Sequence, residues 1–256
     1  MKFVVALFAA LHFLSTARGQ SLHHEELVSA RDPSTTTLSR YCSSFQFNAE
    51  VNNFVNGWLV PGECVSRIKR YIEKGQYAAD VEAVINQARI YVKNLTVTNE
   101  AKKAWVLDID ETSLSNVPYY RTHSYGATKF NATEFNAWVD QASAAALAPT
   151  LSLVKELVSL RWNVIFITGR PESQRQVTVK NLKAAGYKGW TKLLLKSAAQ
   201  TNARMTAMAY KSSLREGLVK DGYEIWGNIG DQWSDISGSA AGSKVFKLPN
   251  PLYFIP

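Results

Sequence analysis

Four short apolar runs, each ending at polar or small residues, constrain this chain more than any other feature. Ala104-Trp105-Val106-Leu107 stops at Asp108, and Asn163-Val164-Ile165-Phe166-Ile167 runs into Thr168-Gly169. Lys192-Leu193-Leu194-Leu195 is the third, and Glu224-Ile225-Trp226-Gly227-Asn228-Ile229 leads into Gly230-Asp231. Val245-Phe246 reads as a fifth. Helical spacing fills the intervals near 148–161, 171–185 and 206–221. Strands alternating with helices predict an α/β three-layer sandwich around a parallel sheet. Residues 41–97 carry helical periodicity, clearest over 77–93 with Val81, Val84, Ile85, Ala88, Tyr91 and Val92, so a helical extension is expected before the first strand. Ligand sites in such sheets lie beyond the carboxyl ends of the strands. Asp108, Thr168 and Asp231 are therefore expected to meet.

The polar cluster after the first run is Asp108-Ile109-Asp110-Glu111-Thr112. A carboxylate can attack phosphorus to form an aspartyl phosphate that water then hydrolyses, and Asp108 is placed for that. Asp110, two residues on, points the same way if the backbone stays extended, and would serve as general acid and then base. Acids crowded near a phosphate dianion repel one another. A divalent cation removes that conflict, and oxygen ligands select Mg²⁺. Asp231 and Asp235 would complete a metal site begun by Asp108 and Asp110. Thr168, Gly169 and Arg170 would hold phosphate oxygens through the Thr hydroxyl and the following N–H groups, with Pro171 as the first residue of a helix. Thr112 joins this set as a substrate-binding candidate. A cation must balance the transferred phosphoryl group. Lys196 and Lys211 both qualify.

Composition bounds the class. The chain has 256 residues, 46% of them hydrophobic, enough for a full core. Residues 1–19 form a secretory signal peptide, with Lys2, the apolar run 3–14, and small residues before a cut after Gly19. Cleavage would leave 237 residues and reduce the formal charge from +8 to +6. Residues 20–40 are polar and expected as a flexible arm, which makes 41–256 one domain. No apolar run is long enough for a membrane span. No basic run or basic–aromatic patch points to nucleic acid. The two cysteines, Cys42 and Cys64, predict one disulfide in a secreted chain. Sequons at Asn94 and Asn131 predict glycosylation.

Taken together and in order, Asp108-x-Asp110-x-Thr112, Thr168-Gly169-Arg170, a lysine and Gly230-Asp231-x4-Asp235 resemble the haloacid dehalogenase (HAD) superfamily of phosphatases. Trp105 to Asn116, Tyr210 to Arg215, Gly222 to Asp235 and the ending Val245 to Pro256 resemble, more closely, the plant class B acid phosphatases and the related vegetative storage proteins. That resemblance implies Asp108 as nucleophile and metal ligand, and Asp110 as acid/base giving its carbonyl to Mg²⁺. It implies Thr168 on the phosphoryl group, Lys211 rather than Lys196 as the cation, and Asp231 with Asp235 at the metal. It also implies a homodimer and a small phosphorylated substrate, while the signal peptide implies entry to the secretory path, with the cell exterior or the vacuole as endpoint. Some storage relatives lack the nucleophilic Asp, which this chain keeps.

About 50 residues separate Thr112 from the second run, more than one crossover needs. A small cap over roughly 113–147 is expected, with Tyr119, Tyr120, Tyr125, Phe130, Phe135 and Trp138 either shaping a leaving-group pocket or packing the insert itself. Other chemistries fit poorly. Cys64-x5-Arg70 has the spacing of cysteine phosphatases, but its loop lacks Gly and reads as helix. His23, His24 and His123 lack metal-ligand spacing, and no Gly-x-Ser-x-Gly elbow is present. A glycosyltransferase Asp-x-Asp would leave Thr112, Thr168 and Gly230–Asp235 without a role. The competing class is a storage protein, an amino-acid reserve with vestigial activity.

Overall fold

The computed structural model describes residues 35–96 and 102–255. The expected signal peptide, most of the expected arm and Pro256 lie outside the described residues. Five parallel strands form one sheet in the order β3-β2-β1-β4-β5. They are β1 (Lys102–Leu107), β2 (Asn163–Pro171), β3 (Lys192–Lys196), β4 (Tyr223–Gly230) and β5 (Lys244–Lys247). The chain builds outward from β1 through β2 to β3, then returns to the other side of β1 for β4 and β5. The strand order therefore reverses between β1 and β4, where a crevice opens beyond the strand ends.

The helices cover both faces. The first three are α1 (Thr35–Glu50), α2 (Val65–Glu73) and α3 (Gln76–Lys93). Between β1 and β2 lie α4 (Val117–Thr122), α5 (Ala132–Asp140) and α6 (Ala148–Ser159). The remainder are α7 (Arg175–Ala184), α8 (Ala198–Asn202), α9 (Ala207–Lys220) and α10 (Trp233–Ile236). Alternation along β1 sends Trp105 and Leu107 to one face and Ala104 and Val106 to the other. The first face packs against α3, α6 and the helical extension; the second packs against Leu214 and Leu218 of α9. Val164 to Ile167 of β2 are buried throughout, as expected of a strand covered on both faces. No helix among the described residues is long and apolar enough to cross a membrane.

Two features depart from expectation. α1 begins at Thr35, inside the segment expected to be a flexible arm. Leu38, Cys42, Phe45 and Ala49 recur at helical spacing and face the core, and that packing outweighs the poor propensity of three consecutive threonines. Pro171 is the last residue of β2, not the first of a helix; a 3-10 turn over Glu172–Gln174 precedes α7. Cys42 and Cys64 are bonded and clip α1 to α2, their Cα atoms 5.2 Å apart. The segment between 113 and 147 carries α4 and α5 and closes on itself where Leu114 bridges Ala146.

Candidate active site

β1 delivers Asp108 to the crevice, because pairing with β4 continues one residue past the strand: Asp108 N donates to Ile229 O at 3.0 Å. The chain then turns sharply. Ile109 O accepts from the amides of Ser113 and Leu114, both at 2.8 Å, and Glu111 takes a left-handed φ of 58°. The turn keeps Asp108 and Asp110 on one cavity of about 430 Å³. α9 inserts Lys211 between two strand ends. Its ammonium donates to Asp108 Oδ1 at 2.6 Å and to Asp235 Oδ1. β4 ends at Gly230 because Asp235 comes back against it: a Cβ there would overlap the Asp235 side chain. Asp235 Oδ2 accepts from Gln232 N at 2.9 Å, which fixes the turn.

Asp110 is held by two residues. Arg170 grips its carboxylate bidentately, Nε to Oδ2 at 3.0 Å and Nη2 to Oδ1 at 2.7 Å. Asn116 Nδ2 donates to Oδ1 at 2.9 Å, and Trp138 Nε1 in turn donates to Asn116 Oδ1 at 3.0 Å. Asp231 is deeper. Thr112 Oγ1 donates to its Oδ1 at 2.9 Å, while Gln232 Nε2 and Asn250 Nδ2 reach Oδ2 at 2.7 and 2.6 Å. Glu111 is fully buried and accepts from Tyr77 Oη at 2.6 Å, Asn116 N at 2.8 Å and Ser115 Oγ at 3.2 Å.

Burial sets the electrostatics. It pushes the Asp108 carboxyl up; Lys211 opposes this, and Asp235, Asp231 and Asp110 add to it. Burial alone would lower Lys211, but the carboxylates of Asp108 and Asp235 outweigh it and keep the ammonium charged. Burial would also raise Asp110, and the Arg170 guanidinium reverses that, so its pKa falls below the ordinary carboxylate range. Asp231 is pushed up to about 6 by burial and by Asp235. Four buried or half-buried carboxylates thus face two cations. Oxygens of Asp108, Asp231 and Asp235 lie within 4.8 Å of one another. Uncompensated negative charge on an all-oxygen donor set fits a divalent cation.

The structure brings the expected residues together but redistributes their tasks. Thr112 lies beneath the site, fully buried, and holds Asp231 rather than lining the cavity. Arg170 lines the cavity, but its guanidinium is spent on Asp110 and on Thr178 Oγ1 at 3.2 Å. Thr168 is fully buried, and its Oγ1 accepts from Arg170 N at 3.2 Å; Gly169 forms the wall above it. Lys196 reaches the cavity from the end of β3 without touching a carboxylate. Of the insert's aromatics, Tyr120, Phe130 and Phe135 line the cavity, whereas Tyr119 packs within the segment against His123 and Phe135, and Tyr125 donates its hydroxyl to Glu73 of α2. Asn94 and Asn131 are exposed. Sequence reasoning missed Asn116, Gln232, Asn250 and the Tyr77–Glu111 pair as supports of these carboxylates. It also missed Arg215, which is fully buried and donates to Asp235 O at 2.7 Å. Glu111, Asn116, Arg215, Gln232 and Asn250 lie inside the stretches that carry the family resemblance, which is the signal available for them.

The family model described as HAD superfamily, subfamily IIIB (acid phosphatase) matches residues 29–256. A stem 28 kDa glycoprotein of Glycine max is 45% identical over 84% of this chain and 84% of its own length. Acid phosphatase 1 of Solanum lycopersicum is 40% identical over 84% and 83%, and vegetative storage protein 1 of Arabidopsis thaliana is 38% identical over 84% and 79%. Among solved structures, the class C acid phosphatase from Bacillus anthracis superposes with a TM-score of 0.62 at 24% identity, covering 73% of this chain and 83% of that one. The last is a likeness of fold.

Proposed function

Because this chain belongs to HAD superfamily subfamily IIIB, the acid phosphatases, we propose that it hydrolyses phosphate monoesters through an aspartyl phosphate on Asp108, with Mg²⁺ held by Asp108, Asp231 and Asp235 and, as the resemblance implies, by the Asp110 carbonyl. The observation that carries this reading is the buried Lys211 ammonium on Asp108 Oδ1 at 2.6 Å, with Asp110 beside it on the same cavity. Asp108 attacks phosphorus and the ester P–O bond breaks. Asp110, ionised beside Arg170 in the free protein, would take up a proton when a phosphate dianion binds next to it. It would give that proton to the departing oxygen, and then take one from the water that releases orthophosphate. Lys211, with the Gly169 N–H, would meet the charge that develops on the equatorial oxygens. Mg²⁺, when bound, would neutralise the phosphoryl oxygens and keep Asp108 ionised. Asp235 orients Lys211, and Arg170 with Asn116 fixes the aim of Asp110.

Removal of metal with EDTA should abolish turnover, and Mg²⁺ should restore it; a rate indifferent to both would contradict the metal assignment. A common phosphoenzyme also requires that transfer to an added alcohol, relative to water, be the same for every leaving group. A ratio that varies with leaving group would rule the intermediate out.

The names of relatives support a second role, as an amino-acid reserve. Massive, nitrogen-responsive accumulation would establish that role, and low constant abundance would dismiss it. Passage through the secretory route, with loss of residues 1–19 and glycans on Asn94 and Asn131, is our reading of the leader and sequons. The Cys42–Cys64 disulfide, which belongs in an oxidising compartment, supports it.

A further inference from the structure

The cavity has a second polar pole that phosphoryl transfer does not use. Arg170 and Lys211 are both neutralised by carboxylates. Lys196 lines the same cavity and makes no ion pair among the described residues; its ammonium sits 5.3 Å from the Tyr210 ring centroid and 3.5 Å from Met205 O. β3 lies two strands from β1, so Lys196 enters about 10 Å across the sheet from Asp108. Thr206 and Ala207 open α9 on this wall. Thr206 Oγ1 accepts from Ala209 N, while the amides of Ala207 and Met208 precede the helix's own bonding and carry its positive end. Tyr210 is 1% exposed, and its hydroxyl has no hydrogen-bond partner among the described residues. The same cavity also has an apolar, aromatic lining: Phe130, Phe135, and Tyr120 stacked on Tyr253 at 5.0 Å.

We propose that Lys196 and the first turn of α9 form a recognition site for a second anionic group, carried on the leaving group beyond an apolar spacer. This rests on the monoesterase reading and names its substrate class: phosphate monoesters whose leaving group is itself acidic. The phosphoryl group occupies the Asp108–Lys211 end, the spacer lies against Phe130 and Phe135, and the second anion meets the unpaired ammonium. A charged group there gains a charge-assisted bond that a neutral leaving group lacks.

Non-hydrolysable probes test this without turnover. Calorimetric titration of the Mg²⁺-loaded protein with benzylphosphonate, 4-carboxybenzylphosphonate and 1,4-xylylenebisphosphonate, at one ionic strength, should show at least one charged probe binding about tenfold tighter than the neutral one. Which of the two is preferred identifies a carboxylate or a second phosphoryl group. Lys196→Met should erase the preference and Lys196→Arg should keep it. Equal binding of all three probes by the wild type, or a preference that survives Lys196→Met, would overturn the proposal. Failure to turn over 4-nitrophenyl phosphate would strike the monoesterase reading alone.

Discussion

Lys211 and Glu111 show how much of this site depends on single side chains. Lys211 is the counter-ion of two buried carboxylates, so Lys211→Met leaves both without one. Breaking a buried ion pair from one side costs about 3–5 kcal/mol, and losing a donor to the developing charge costs about 10²–10³ in kcat. Thermal unfolding and steady-state assays should show both losses together. Full stability with a lost rate would mean that the pairing is only kinetic. Glu111 makes a different prediction. Burial raises its pKa to about 7, against the hydrogen bonds from Tyr77, Asn116 N and Ser115. Folding therefore raises the pKa above its ordinary value. The stabilising contribution is complete below about pH 4.5 and is lost as the pH rises through about 7. In EDTA, the melting temperature of the wild type should fall between pH 5 and 7.5, and it should fall less in Glu111→Gln. An unchanged pH dependence would show that Glu111 does not titrate on folding.

At the scale of elements, the central strands β1 and β2 were legible because their interiors are apolar on both faces. The misplaced Pro171 has a local cause. Pairing of β2 with β3 shifts register between Ile167 and Pro171, so Thr168 to Arg170 bulge toward the site and the strand resumes beyond them. A proline is tolerated at such an irregular strand end. Side-chain tasks were less legible. Thr112 meets Asp231 119 positions away, and Arg170 meets Asp110 60 positions away. Local spacing says nothing about such partners; only the family resemblance singled out Lys211 over Lys196. The disulfide closes a 22-residue separation between α1 and α2. Replacing both cysteines by Ala should cost about 3 kcal/mol in urea denaturation, the loop-entropy value for that span. No loss would mean that α1 is held by Phe45, Ala49 and the Trp233 Nε1 bond to Glu50 O at 2.8 Å instead.

For the whole molecule, a sheet that reverses its strand order between β1 and β4 gathers four carboxylates and two cations from segments spread over more than 100 residues. The helical extension is part of that device, because Tyr77 of α3 reaches Glu111 inside the turn that follows Asp108. The segment between 113 and 147 supplies Trp138 to Asn116 and, through it, to Asp110. The central claim is that Asp108 carries the chemistry of this assembly. The most direct test is the steady-state rate of purified protein on 4-nitrophenyl phosphate with Mg²⁺, beside an Asp108→Asn variant shown by circular dichroism to be folded. The account predicts a kcat of about 1 s⁻¹ or more for the wild type, within the usual enzyme range, and no turnover by the variant. A rate that survives the substitution would contradict it.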